Sequence, residues 1–187
     1  QTVPTGGTPT RGGRLTVGVL SAGGTETINP FTAYGISDYP RVHQTHETLW
    51  EADNDLSFKP LLLEEGTPNA DATEWTLRLR EGVTFSDGKD LTADDLAHSI
   101  RLWADPNSYA YTLGGDYFDA ASIQKLDTRT VRVRLTKPIA RLEEVMCWIW
   151  FAVVRDGDDP ARPSGGTGPF VLSDFKAGAY SLMKANK

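Results

Sequence analysis

His43 and His46 stand three positions apart, the spacing at which two imidazoles share one helix face and could hold a metal ion. Glu47 follows the second histidine directly, so neither His-Glu-x-x-His nor His-x-x-Glu-His is formed. The pair therefore reads as part of a solvated helix face, with a metal-dependent enzyme using both histidines as an alternative. Residues 53–55 and 156–159 are rich in Asp like parts of calcium loops, but neither has the Gly at position six nor the late Glu that such loops require. Both read as turns. The segment Gly-Thr-Gly-Pro-Phe at 166–170 is no phosphate cradle: it lacks a Gly-Lys-Ser/Thr ending, and Pro169 has no backbone N–H to give. There is no Gly-x-Ser-x-Gly, and Glu64–Glu65, Asp94–Asp95 and Glu143–Glu144 are adjacent pairs whose side chains diverge. No catalytic residue, metal ligand or cofactor site is expected.

The aromatic residues are more suggestive. Trp148 and Trp150 alternate with Ile149 and Phe151 in a ten-residue apolar run, 145–154, so one pair could line a cleft while the other fills the core. Tyr109 and Tyr111 fall in a segment with Gly114 and Gly115 nearby, read here as a loop, where rings commonly serve as contact surfaces. Cys147 is the single cysteine of the chain, which excludes an internal disulfide, and its apolar surroundings predict a buried small hydrophobe.

Several elements must position these groups. Residues 15–20 form a short β-rich run, and 38–50 reads as a helix with Val42 and Leu49 inward. Trp75, Leu77 and Leu79 alternate with Thr76, Arg78 and Arg80, which predicts a half-buried strand. Thr92 and Asp95 form a capping box, and Leu91 and Leu96 have the spacing of a hydrophobic staple, so a helix starts there; Pro106 stops it near Asp105. A hairpin around 127–129, a short helix after Pro138, a strand through Trp148, a linker over 160–166 and two strands near 170–172 and 180–183 complete the chain. Strands outnumber helices, which predicts a mixed α/β fold with hairpins rather than a strict βαβ array.

Composition bounds the partners. With 187 residues, 39% apolar content and five tryptophans, the chain can bury a core and is not of the disordered class. A formal charge of −6 argues against nucleic acid, which needs clustered Lys and Arg. The longest apolar run is half of the about 20 residues a spanning helix needs. Residues 1–13, rich in Gly, Thr and Pro, read as a flexible tether of the kind left after a secretion or lipoprotein signal is removed.

Five segments in fixed order go further: ETINP at 26–30, WTLRLREGVTFSDG at 75–88, LTADDL at 91–96, TVRVRL at 130–135 and GTGPF at 166–170. Together they resemble the N-terminal part of the family-5 extracellular solute-binding proteins, the peptide and nickel receptors of ABC importers, over nearly the whole chain; Phe170 stands where Tyr is usual. The resemblance implies an incomplete two-lobed, periplasmic-binding-protein-like fold. In it, 14–49 would open lobe I, 50–163 would form an inserted domain, and 164–187 would return to lobe I, truncated. It also implies a receptor without catalytic activity, held outside the cytoplasmic membrane, with a lipid anchor possible upstream. Its partners would be a peptide or similar small solute and an importer permease, and it would act as a monomer. Residues placed at the half-cleft are Thr25, Thr27 and Asn29 on the first loop, Tyr109 and Tyr111 on the inserted domain, and Trp148 and Trp150. A solute-binding-like sensor domain of a regulator is the alternative from another class. With half of the contacts missing, weak affinity is expected.

Overall fold

In the computed structural model, which describes residues 12–21, 23–162 and 165–186, the alternation around Trp75 becomes the centre of a four-stranded antiparallel sheet. Its strands are β3 (Leu63–Pro68), β4 (Glu74–Leu79), β5 (Gln124–Lys125) and β6 (Thr130–Arg134), in the order β3-β4-β6-β5. Trp75 pairs with Val133 and Leu77 with Val131, so both strands send their apolar set to the same face. Helix α2 (Ala93–Trp103) covers that face with Leu96, Ile100 and Trp103. On the opposite face Glu64 meets Arg78 at 3.2 Å and Arg129 at 3.4 Å, and Glu74 meets Arg132 and Arg134 at 3.7 Å. These exposed pairs each add little stability, but they give the arginines of the strands cross-strand partners.

The start of α2 follows the expectation. The Asp95 carboxylate accepts from the Thr92 amide at 2.8 Å and from its hydroxyl at 2.7 Å. Its other oxygen accepts from the Asp156 amide at 2.8 Å, so one buried side chain caps the helix and ties down the 152–156 segment.

Four expectations are corrected. Residues 15–20 form no strand; Leu15, Val17, Val19 and Leu20 are exposed, because no described segment supplies the ladder that an extended backbone needs. Helix α1 (Asp38–Thr45) ends at an extended His46, since the following carbonyls find partners elsewhere: Val153 donates to Glu47 and Leu61 to Leu49, both at 2.9 Å. Strands β1 (Trp50–Ala52) and β2 (Phe58–Pro60) then form a hairpin. The segment read as a loop holds a short helix, α3 (Tyr109–Thr112), capped by Ser108, and a 3-10 turn at Gly115–Tyr117. Trp148 is not on a strand. After α4 (Glu143–Met146), Phe151 donates back to the Trp148 carbonyl at 2.9 Å and Ala152 to Ile149 at 3.2 Å, closing a 3-10 turn. The run continues as extended core: the Trp103 indole donates to the Ala152 carbonyl at 3.1 Å, and the Val154 amide to the Ser99 hydroxyl at 3.0 Å.

The chain closes with hairpin β7 (Phe170–Lys176) and β8 (Tyr180–Ala185), packed on α1. The Gly-Thr-Gly-Pro-Phe segment crosses the end of α1 backbone to backbone, with the Gly168 amide 3.1 Å from the Thr45 carbonyl. A Cβ on Gly166 would stand 1.9 Å from that carbonyl oxygen, and one on Gly168 2.6 Å from its carbon. Glycine is required there by close approach. The tether at 1–11 and part of the linker, 163–164, lie outside the described residues.

Candidate ligand-binding site

The first loop, 23–37, is framed from beneath by one buried ion pair. Arg41 Nη1 donates to Asp38 Oδ1 at 2.8 Å and to the Thr27 carbonyl at 2.6 Å. Asp38 in turn accepts from the amides of Thr27 at 3.1 Å, Gly35 at 3.0 Å and Tyr34 at 3.3 Å. The guanidinium also reaches Glu26 at 3.3 Å and the Ser181 hydroxyl at 2.8 Å, and lies 4.5 Å from the centre of the Phe175 ring. Charges this deeply buried hold only because each has several partners.

Of the residues placed on this loop by sequence, Thr25 ends an exposed 3-10 turn (Gly23–Thr25). Thr27 and Asn29 are half-buried and engaged locally: the Asn29 amide donates to Thr27 Oγ1 at 3.1 Å, and Asn29 Oδ1 accepts from the Phe31 amide at 2.9 Å. Asn29 thereby caps the turn Pro30–Thr32, which packs against the turn Ile149–Phe151.

That contact gathers the aromatic residues. Trp150 is half-buried, and its indole donates to the Ala33 carbonyl at 2.6 Å while Tyr39 stands edge-on to it at 5.6 Å. Trp148 lies 6.2 Å from Trp150 and keeps 57% of its surface exposed. Helix α3 touches both turns, and Tyr109 (40% exposed) meets Tyr34 (71% exposed) at 5.5 Å between ring centroids. Tyr111 is half-buried on the same helix. The structure thus brings Tyr109, Trp148 and Trp150 together around the first loop. Tyr34 joins them and was missed by sequence; its position five residues after Asn29, on the loop carrying the other candidates, was the available signal. Rings exposed side by side can take up an apolar or planar ligand group.

Trp148 also borders a cleft of about 590 Å³ between α1, the β1–β2 hairpin and residues 144–152. His43, His46, Glu47 and Cys147 line it. His46 corrects the solvated-face reading: it is 8% exposed, and burial pushes its pKa down to about 4. His43 remains exposed on α1, and burial of its ring lowers its pKa as well. Cys147 is half-exposed rather than buried, and partial burial raises its thiol pKa. Among the described residues no group of three His, Cys, Asp or Glu could hold a metal ion. No helix among them is long and apolar enough to cross a membrane.

Known proteins resemble the chain in sequence and in fold. The chain is 25% identical over 166 residues to the glutathione-binding protein GsiB of Escherichia coli K12, covering 84% of this chain and 32% of that protein. It is 29% identical over 143 residues to the probable peptide ABC transporter periplasmic-binding protein y4tO of Sinorhizobium fredii, covering 71% of this chain and 26% of that one. The chain therefore spans about a quarter to a third of the length of these relatives. The fold matches that of the PBP AgaA from A. tumefaciens R10 in complex with agropinic acid, with a TM-score of 0.77 at 22% identity, over 89% of this chain and 34% of that one. A mixed α/β chain covering part of such a fold is what the resemblance implied. The model of the bacterial extracellular solute-binding proteins, family 5 Middle, matches residues 57–187, and the chain belongs to that family.

Proposed function

We propose that this chain is part of the substrate-binding component of an ABC importer, capturing peptides or similar small solutes outside the cytoplasmic membrane. The observation that carries the reading is the exposed aromatic face of Tyr34, Tyr109, Trp148 and Trp150, set around a loop held by the Asp38–Arg41 pair. Rings supply contact area at low conformational cost, and the loop that carries Thr25, Thr27 and Asn29 holds Tyr34 among them. Tyr111, half-buried on α3, is kept as a further proposed contact, although its position two residues from Tyr109 turns it to another side of the helix. The names of GsiB and y4tO support glutathione-sized or peptide cargo.

Residues 14–49 and 164–187 form one lobe in this reading, with 50–163 inserted. Bonds from Arg41 to Ser181 and from the Gly178 amide to Glu26 support it, because they join the first segment to the last. The partner would be an importer permease, the receptor would act as a monomer, and a lipid anchor upstream would hold it at the membrane. Binding is the whole of the activity; no catalytic step is assigned.

The test is calorimetric and fluorescence titration with glutathione and a defined set of di- to pentapeptides. Binding that weakens about tenfold or more in Tyr34→Ala and in Trp148→Ala supports the reading. Affinity is expected to be weak or undetectable in this chain and strong once the remaining part of the two-lobed fold is restored; equal affinity in both, or binding untouched by both substitutions, overturns the reading.

A further inference from the structure

The cleft beside Trp148 has features that the aromatic face does not explain. Glu47, Glu51 and Glu144 line it, and no Lys or Arg does among the described residues. The nearby cations are largely committed elsewhere. Lys59, across the hairpin from Glu51, is held by Asp53. Arg141 reaches Glu144 at 2.9 Å but also serves Glu143 at 3.3 Å, leaving that trio negative. Burial pushes the Glu47 carboxyl above its usual range and Glu51 adds to this, against a hydrogen bond from Thr167 and the attraction of Arg80.

His46 adds an unmet acceptor. The Thr45 hydroxyl lies 3.0 Å from the Arg41 carbonyl and 2.9 Å from His46 Nδ1. With its proton given to the carbonyl it accepts from Nδ1–H, the tautomer that leaves a lone pair on Nε2. That atom is buried with no partner among the described residues, behind the part of the ring that lines the cleft. His43 and His46 are both held towards the neutral form by burial, so neither offsets the carboxylates. The remaining wall is apolar; the Arg141 guanidinium already lies 5.9 Å from the centre of the Phe58 ring, which leaves the exposed Trp148 ring to meet a cation.

We propose that this cleft binds a protonated amine or guanidinium carried on an apolar stem. A cation would lower the Glu47 carboxyl back towards its ordinary range, and its N–H groups match a wall of acceptors. The stem would lie against Phe58 and Trp148. The volume suits a group of that size. The inference goes beyond the importer reading and shares only Trp148 with it.

Cys147 is the single cysteine and lines the cleft, so its alkylation by neutral N-ethylmaleimide reports occupancy. Phenethylamine, phenethyl alcohol and 3-phenylpropionate serve as cationic, neutral and anionic probes of one shape. Phenethylamine is expected to slow alkylation and to bind about tenfold tighter than the alcohol by calorimetry, with the acid weakest. Glu51→Gln, at an exposed strand position, is expected to reduce that preference without unfolding the chain, and Glu47→Gln to reduce it further. Equal protection by amine and alcohol would mark an apolar crevice and overturn the proposal. So would absence of both protection and heat with phenethylamine. Tyr34→Ala, expected to weaken peptide binding, should leave phenethylamine binding unchanged, so the two readings fail separately.

Discussion

Arg41 and Asp38, one helical turn apart, meet at 2.8 Å in a buried pair, and the same carboxylate gathers the amides of Thr27, Tyr34 and Gly35. The helix thus holds the first loop through one side chain rather than through a continuous ladder. Asp38→Asn leaves the buried guanidinium with Glu26 as its remaining charge partner and strips the loop amides of their carboxylate, and is expected to destabilise the fold by about 3 kcal/mol in urea titration. The triple variant Asp38→Asn, Arg41→Met, Glu26→Gln removes all three charges of the network and should recover part of the loss summed over the single variants. A triple variant as unstable as the sum of the singles would contradict this account of the network.

Acid should expose His46. Its folded pKa is lowered to about 4 from 6.5, so the unfolded chain takes up the proton first. The stabilisation from keeping it neutral is fully present above pH 6.5, declines as pH falls from 6.5 to 4, and is absent below 4. At most it amounts to about 3 kcal/mol. His43 and Glu47 titrate nearby, with His43 lowered and Glu47 raised by burial, so the wild type minus His46→Gln difference is the quantity to follow. A difference that stays flat between pH 7 and 4 would refute the assignment.

Asp95 combines a helix cap with a tether to Asp156, at 2.8 Å on each oxygen. Asp95→Ala should cost about 2 kcal/mol, more than a cap alone usually supplies, because the Asp156 amide loses its acceptor as well. Thr92→Ala keeps that tether and is expected to cost about half as much. Equal losses in chemical denaturation would remove the tether from the account.

Two tryptophans should respond in opposite ways. Trp103 is fully buried, donates to Ala152 and stands edge-on to Phe151 at 5.7 Å, so Trp103→Ala is expected to cost about 3–5 kcal/mol. Trp148→Ala should change stability by less than about 1 kcal/mol while weakening peptide binding. Similar stability losses for both would mean that Trp148 is a core residue.

Gly166→Ala drives a methyl group into the Thr45 carbonyl, and about 1–3 kcal/mol of destabilisation is expected. Gly157→Ala meets no atom within 4 Å but sits at φ 79°, so it isolates the backbone penalty of about 1 kcal/mol. A thermal shift for Gly166→Ala no larger than for Gly157→Ala would show that the crossing over α1 can relax.

What was legible in the sequence follows from how local the cause is. Strand β4 and helix α2 write their burial into short periods, and the Thr92–Asp95 box is complete within four residues. The 148–151 turn was misread because its apolar alternation is shared by strands and by tightly wound core segments; no neighbouring strand was there to extend it. His46 looked solvent-facing because the residues that bury it, among them Gly166, come from 120 positions later. Tyr34 has only its place on the loop after Asn29 as a signal, and the fold makes it a candidate by setting Tyr109 beside it. The five ordered segments revealed the family, whereas the acidic lining of the cleft comes from residues between 47 and 144 that no motif links.

The bond from Arg41 to Ser181 spans 140 positions. Closing so long a loop is entropically slow, and during synthesis it waits for the last hairpin to emerge. Until then Arg41 lacks Ser181 and Phe175, and the loop carrying Thr27, Asn29 and Tyr34 has only its local supports. The surface proposed for capture therefore stays unset until the β7–β8 hairpin has formed, and a nascent chain arrested before that hairpin would carry the right residues on an unset frame.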